Sequence, residues 1–181
     1  MNGLDRLIRR LRTRRALRHI PPGTVLDIGC HDGFLLNSLG DRLAWGVGLD
    51  PCLTSAVEAQ NYRLLPSTFP APELVGEGCF DAVTALAVLE HVPTDELGHV
   101  VQELRRCLAP SGRVILTVPS PLVDYILRVA MTLRILHGME AEQHHHFDVG
   151  LVKPLFESHG FRLVVHERFQ WGLNNLFVFE S

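Results

Sequence analysis

The sequence predicts an α/β fold: an open, mostly parallel sheet of seven strands, with helices on both faces and an antiparallel hairpin at its C-terminal end. Three observations predict it. Short runs rich in Val, Ile and Leu alternate with helical patterns between Thr24 and Val118, the mark of βαβ units whose sheet is buried on both sides. The first run ends in a glycine-bearing turn that opens a helix, Asp27-Ile28-Gly29-Cys30-His31-Asp32-Gly33. The last two strand patterns are joined by a short connection, which suits an antiparallel pair.

The elements follow in order. Residues 3–19 read as a helix, because Leu4, Leu7, Ile8 and Leu11 recur at i, i+3, i+4 and i+7 while arginine fills the other face. Pro21-Pro22-Gly23 stops it. Strands are expected at 24–29, 45–50, 62–65, 80–86 and 113–118, and helices at 34–39, 53–60 and 95–108. In the last of these helices Leu97, Val100, Val101, Leu104 and Leu108 share one face, with Thr94 as N-cap. Pro110-Ser111-Gly112 is a turn. After Pro119 the pattern changes. An amphipathic helix over 122–137 and a polar, His-rich loop over 139–148 form an inserted lid or substrate segment, 120–148. A helix over 148–159 ends at Gly160, and strands at 161–167 and 175–179 close the sheet.

Composition narrows the function classes. The chain has 181 residues, 46% hydrophobic and 20% charged, which is ordinary for a single globular domain. Such a chain buries roughly 70% of its unfolded surface and needs no disulfide or metal staple. No apolar run is long enough to span a membrane. Cys30, Cys52, Cys79 and Cys107 form no CxxC pair, so no zinc site is expected and metal ligands are none. No apolar segment follows the N-terminal arginines, so no signal peptide is expected, and the setting reads as reducing and cytoplasmic. Residues 1–20 hold seven arginines against Asp5, a net of +6, which leaves −9 on the rest of a chain of formal charge −3. A basic arm on an acidic body is a poor nucleic-acid footprint. It is a handle for peripheral contact with a membrane or an anionic partner, or else a solvated cap.

The glycine turn carries the chemistry. Open α/β sheets bind ligands at the carboxyl ends of their strands. Gly29 would let the chain turn tightly, and Gly33 would let the helix pack near a strand. Asp50 ends the second strand, where a carboxylate can accept hydrogen bonds from two ribose hydroxyls. A dinucleotide site wants G-x-G-x-x-G; here the spacing is Gly29-x-x-x-Gly33, with His31 between. Asp27, two residues before the first glycine, suits a cofactor with an ammonium group. There is no P-loop and no G-x-S-x-G nucleophile elbow.

On these residues the sequence resembles the class I S-adenosylmethionine-dependent methyltransferases. The likeness runs in order through Asp27, Gly29 and Gly33, Asp50, Phe80-Asp81-Ala82-Val83, Ala87 to Val92, Leu108 to Leu116, and Leu155 to Phe161. It is nearest to the ubiquinone-biosynthesis-like subgroup. The resemblance implies a Rossmann-like sheet, S-adenosyl-L-methionine as cofactor and a small-molecule or glycan acceptor. It implies that Gly29, Cys30 and Gly33 line the methionine moiety, with Asp27 orienting the loop or meeting the ammonium group through water. Asp50 would hold the ribose and Pro51 would pack near the adenine. Ser67 and Thr68 occupy the place of an adenine-binding acid, and the backbone of Ala85 and Leu86 would meet the methionine side. There are two departures: His31 stands for the family's middle glycine and Ser67 for its acid. A non-catalytic methyltransferase-like binding domain is the alternative these departures support.

Two catalytic candidates follow. An oxygen acceptor must lose a proton, and a group titrating near neutrality removes it best. His91 follows the fourth strand and reads as general base or as a loop histidine. His145, within His144-His145-His146, lies in the expected substrate loop. That triplet reads as substrate contact, as a solvated loop, or as a metal site with Glu140, Glu142 and Asp148. Ala85-Leu86-Ala87-Val88 lacks the Asn/Asp-Pro-Pro-Tyr-like tetrapeptide of amide- and base-methylating families, which points to oxygen as the acceptor atom.

Overall fold

A computed structural model describes residues 3–120 and 147–181. Its strands are β1 (Gly23–Ile28), β2 (Leu43–Leu49), β3 (Val57–Glu58), β4 (Tyr62–Leu65), β5 (Phe80–Leu86), β6 (Leu108–Pro119), β7 (Arg162–Phe169) and β8 (Asn174–Glu180). They form one sheet in the order β3-β4-β2-β1-β5-β6-β8-β7. The five strands from β4 to β6 in that order run parallel, and β3, β7 and β8 pair antiparallel. The described helices are α1 (Gly3–Ala16), α2 (Phe34–Leu39), α3 (Leu97–Cys107) and α4 (Val152–Ser158).

The strands bury both faces, and side-chain alternation sorts the core into two layers. In β6, Val114, Leu116 and Val118 join Val100, Val101 and Leu104 of α3 and Phe156 of α4. Ile115 points the other way, into a layer with Ala16 of α1 and Leu35, Leu36 and Leu39 of α2. Phe156 stacks on Phe179 with ring centroids 4.3 Å apart, and Phe161 lies 5.3 Å from Phe156. This aromatic group locks α4 and the hairpin onto the sheet.

Between β1 and β5 a second knot forms at the amino ends of the strands. The Thr24 N–H donates to Asp81 Oδ2 at 2.7 Å, and the Asp81 N–H donates back to Thr24 Oγ1 at 3.1 Å. Asp81 is therefore a structural residue on the edge of the sheet away from the glycine turn.

Five expectations are corrected. The sheet has eight strands rather than seven. The eighth is β3, inside the segment 53–60 expected to be a helix. Leu53 is half-buried there while Thr54, Ser55, Ala56, Val57 and Glu58 are exposed, so a helix would have had no apolar face to bury. The segment instead pairs with β4, Val57 against Leu64. Thr94 does not cap α3; Glu96 is the N-cap residue, without a side-chain hydrogen bond. The Pro110-Ser111-Gly112 turn lies within β6 as an irregularity: the register passes from Phe80↔Leu108 to Ala82↔Arg113, with Ser111 at φ +62°. Finally, α1 is turned round. Arg9, Arg12, Thr13 and Ala16 face the body, while Leu7 and Leu11 are 53% and 39% exposed. The body is acidic and polar where α1 lands. Arg9 forks onto Asp32 at 2.8 and 3.0 Å, Arg12 donates to Asn174 Oδ1 at 3.1 Å, and Arg15 pairs with Glu167 at 3.1 Å.

Candidate cofactor site

The chain places β2 and then β4 on one side of β1 and returns to lay β5 on the other. The switch point, where such sheets take ligands, is therefore the carboxyl end of β1 and β5. Most of the singled-out residues meet on this edge: the Gly29–Gly33 loop after β1, Asp50 and Pro51 after β2, Ser67 and Thr68 after β4, and Ala85, Leu86 and His91 on β5 and beyond. His145 lies outside the described residues, as do the expected helix over 122–137 and the rest of the histidine triplet.

Every second residue of the loop is left-handed. Gly29 has φ +72°, His31 φ +50° and Gly33 φ +73°. A Cβ on Gly29 would come within 2.7 Å of Val88 Cγ2, so glycine there lets the loop lie against the turn after β5. At Gly33 a Cβ would press Leu64 at 3.1 Å, so α2 starts hard against β4. The N–H groups of Gly29 and Cys30 both donate to Leu49 O, at 2.8 and 3.2 Å.

Asp50 ties the loops together. Its Oδ2 accepts the His31 N–H at 2.8 Å and its Oδ1 the Cys52 N–H at 2.8 Å. Each carboxylate oxygen accepts two hydrogen bonds, so each keeps one lone-pair direction beyond its backbone donor.

Asp27 is buried on β1. It stands in register with Thr84 of β5, whose Oγ1 donates to Asp27 Oδ1 at 2.6 Å. Burial pushes its carboxyl up to about 7; the Thr84 hydrogen bond opposes that shift and the Asp50 charge adds to it. A cationic ligand at this edge would favour the charged form.

His31 does not fill the loop. Its side chain is 58% exposed and turns toward α1, with Nδ1 3.4 Å from Arg9 Nη1. The left-handed φ explains why glycine suits this position, and histidine is among the residues that tolerate it. Cys30 also turns away from the loop. Its Sγ lies where a Cβ on Gly48 of β2 would approach within 2.7 Å, and burial pushes its thiol up to about 12. Ser67 is half-buried, and its hydroxyl donates to Thr68 O at 3.2 Å.

Ala85 is buried and Leu86 half-buried. Ala87, at φ +59°, turns the chain off the end of β5 and anchors it by an N–H donated to Thr117 O at 2.9 Å. A single 3-10 turn, Leu89–His91, then buries Glu90 and exposes His91. Residue reading missed Thr84 and Arg9. Thr84 becomes visible only from its register with Asp27, and Arg9 only once α1 is docked.

The chain is similar to known proteins along this frame. It is 34% identical over 104 residues to the ubiquinone biosynthesis O-methyltransferase of Pseudomonas paraeruginosa, a match covering 52% of this chain and 43% of that protein. The chain thus spans less than half the length of this curated relative. Among solved structures it resembles the Burkholderia thailandensis 1,6-didemethyltoxoflavin-N1-methyltransferase with bound 1,6-didemethyltoxoflavin and S-adenosylhomocysteine. There the TM-score is 0.69 and identity 18%, over 99% of this chain and 82% of that one. It also resembles an S-adenosylmethionine-dependent methyltransferase from Archaeoglobus fulgidus, with TM-score 0.68 and identity 16% over 96% and 94% of the two chains. A family model described as methyltransferase domain matches residues 2–166. That match takes in nearly the whole chain, from α1 to β7, and it shows that the protein belongs to the class I S-adenosylmethionine-dependent methyltransferases.

Proposed function

We propose that this domain transfers a methyl group from S-adenosylmethionine to an oxygen atom of a small-molecule or glycan acceptor. The observation that carries the reading is Asp50: it is buried at the end of β2, and its two carboxylate oxygens accept from the backbone of His31 in the glycine loop and of Cys52. An oxygen acceptor is supported by the O-methyltransferase name of the curated relative and by the Ala85-Leu86-Ala87-Val88 stretch after β5.

Bound S-adenosylmethionine supplies a methyl group on a sulfonium, which already carries its leaving group. The protein's work is alignment. Asp50 holds the ribose hydroxyls. The backbone of Gly29 and Cys30 and the end of β5 at Ala85 and Leu86 flank the methionine side. Pro51, Ser67 and Thr68 border the adenine. Asp27, fixed by Thr84, offers a carboxylate beneath the loop to the ammonium group. His91 accepts the acceptor's proton.

Binding is tested by thermal-shift titration. S-adenosylmethionine and S-adenosylhomocysteine are each expected to raise the unfolding temperature saturably, and NADH is not. Ligand at a hundred times its Kd stabilises by about 2.7 kcal/mol, roughly 5–10 °C for a domain of this size. Silence with both sulfur nucleotides would sink the catalytic reading and leave the binding-domain alternative. For the base, His91→Asn is expected to lower kcat by about 100-fold with cofactor affinity unchanged. An unchanged kcat would place the base elsewhere.

A further inference from the structure

We propose that the outer face of α1, together with Trp171 at the tip of the β7–β8 hairpin, is a docking surface for an anionic lipid bilayer. The inference rests on exposed groups outside the cofactor site and stands whether or not the acceptor assignment holds.

The inward arginines of α1 are used by the fold. Those left over face out: Arg6, Arg10 and Arg14, and Arg18 in the turn that follows the helix, are exposed, and none pairs with a carboxylate of another described residue. Leu7, Leu11 and Arg14 follow one another at i, i+4 and i+7, so they form one stripe of α1, with Arg10 beside Leu7 and Leu11. Two leucines within a belt of arginines match a lipid interface. The apolar chains enter the acyl boundary, while the guanidinium groups stay at the phosphates on their own apolar stems.

The hairpin tip adds the second half. Gln170, Trp171 and Gly172 are three consecutive left-handed residues, at φ +52°, +60° and +82°. They hold the Trp171 side chain fully clear of the protein, 101% exposed. A bulky aromatic residue at positive φ is uncommon, and this one contributes nothing to the core. The hairpin tip is tied to the inward side of α1: Arg12 donates to Asn174 Oδ1 at 3.1 Å, and Asn174 Nδ2 in turn donates to Gln170 Oε1. Asn174 also pairs with Pro119 at the carboxyl end of β6, so the tip lies on the same edge of the sheet as the cofactor site. Tryptophan favours the headgroup level of a bilayer.

Charge fixes the orientation. Residues 1–20 carry +6 and the remainder −9, so a negative surface attracts α1 and repels the body. A soluble polyanion would satisfy the arginines but not Leu7, Leu11 and Trp171.

The test uses phosphatidylcholine vesicles with and without phosphatidylglycerol, read by co-sedimentation and by tryptophan emission. The chain has two tryptophans, so Trp45→Phe leaves Trp171 as sole reporter. Binding is expected only with phosphatidylglycerol, weakening as ionic strength rises, with a blue shift of Trp171 emission. Each exposed arginine is worth about 5-fold in partitioning, so Arg10→Gln with Arg14→Gln is expected to weaken binding about 30-fold. Equal binding to neutral and anionic vesicles would overturn the proposal, as would an unshifted Trp171 or full affinity in the double variant. Binding to polyglutamate with no response to vesicles would assign the face to an acidic protein and overturn it as well. The salt series on the unmutated chain keeps the test decisive should a variant fail to fold.

Discussion

Asp27→Asn is expected to stabilise the folded domain near neutral pH and, at the same time, to weaken the cofactor site. In the unfolded chain Asp27 ionises near its ordinary value of 3.8; in the folded chain burial raises this to about 7. Between those values the folded state keeps a proton that the unfolded state has released. Stability therefore falls as pH rises through this window. The cost is absent below about pH 4 and complete above about pH 7, where three units amount to roughly 4 kcal/mol. Asparagine is neutral throughout and still offers Oδ1 to the Thr84 hydroxyl. Its amide hydrogens need partners of their own, which returns part of the gain. The net expectation at about pH 8 is a rise in unfolding temperature of roughly 4–8 °C, shrinking to nothing by about pH 4. Melting both proteins across that range is the measurement. A gap between them that does not widen with pH would mean Asp27 titrates normally. The same melts with S-adenosylmethionine read the functional side, since the variant has lost the carboxylate proposed to meet the ammonium group.

The second large effect is Phe156→Ala. Phe156 is fully buried between α4 and the sheet, stacked on Phe179 and tilted against Phe161. Removing the ring forfeits its transfer energy and leaves a cavity that neighbours on three elements cannot all collapse into. The expected loss is about 3–5 kcal/mol, or roughly 10 °C or more in unfolding temperature. Phe156→Leu should lose much less, because most of the volume is kept. Phe156 lies in the layer beneath α3 and α4, whereas Asp27 and α2 face the other layer, so cofactor affinity per folded molecule should not change. Denaturant unfolding measures the first expectation and cofactor titration of the folded variant the second. A loss below about 1 kcal/mol would show that the aromatic cluster relaxes freely.

These two residues mark what local pattern reading can and cannot reach. Phe156 and Phe161 were legible as apolar residues around a helix end at Gly160, where φ is indeed +81°. That they stack with Phe179 depends on β8 lying between β6 and β7, a matter of strand order. Asp27 was legible as the acid ahead of the glycine turn. Its raised pKa was not, because the shift comes from burial under neighbouring strands and from a partner 57 residues away. The segment 53–60 shows the converse failure. Its composition permits a helix, but a free strand edge on β4 offered backbone partners that a short helix with one half-buried leucine could not match.

By itself, then, the sequence determined the alternation of strands and helices, the glycine loop, and the places of Asp27 and Asp50 at strand ends. Each of these is written in residues close together: periodicity, punctuation by glycine and proline, and chain order. Tertiary structure alone decided which face of α1 turns inward, that His31 points to Arg9 rather than into the loop, that Cys30 packs against Gly48, and that Thr84 holds Asp27. Periodicity reports that Leu7 and Leu11 share a side of a helix; it does not report that the acidic body offers Asp32, Asn174 and Glu167 to the arginines opposite. Those partners are brought together by sheet order and register, and the free energy of burying and pairing them outweighs the local preference.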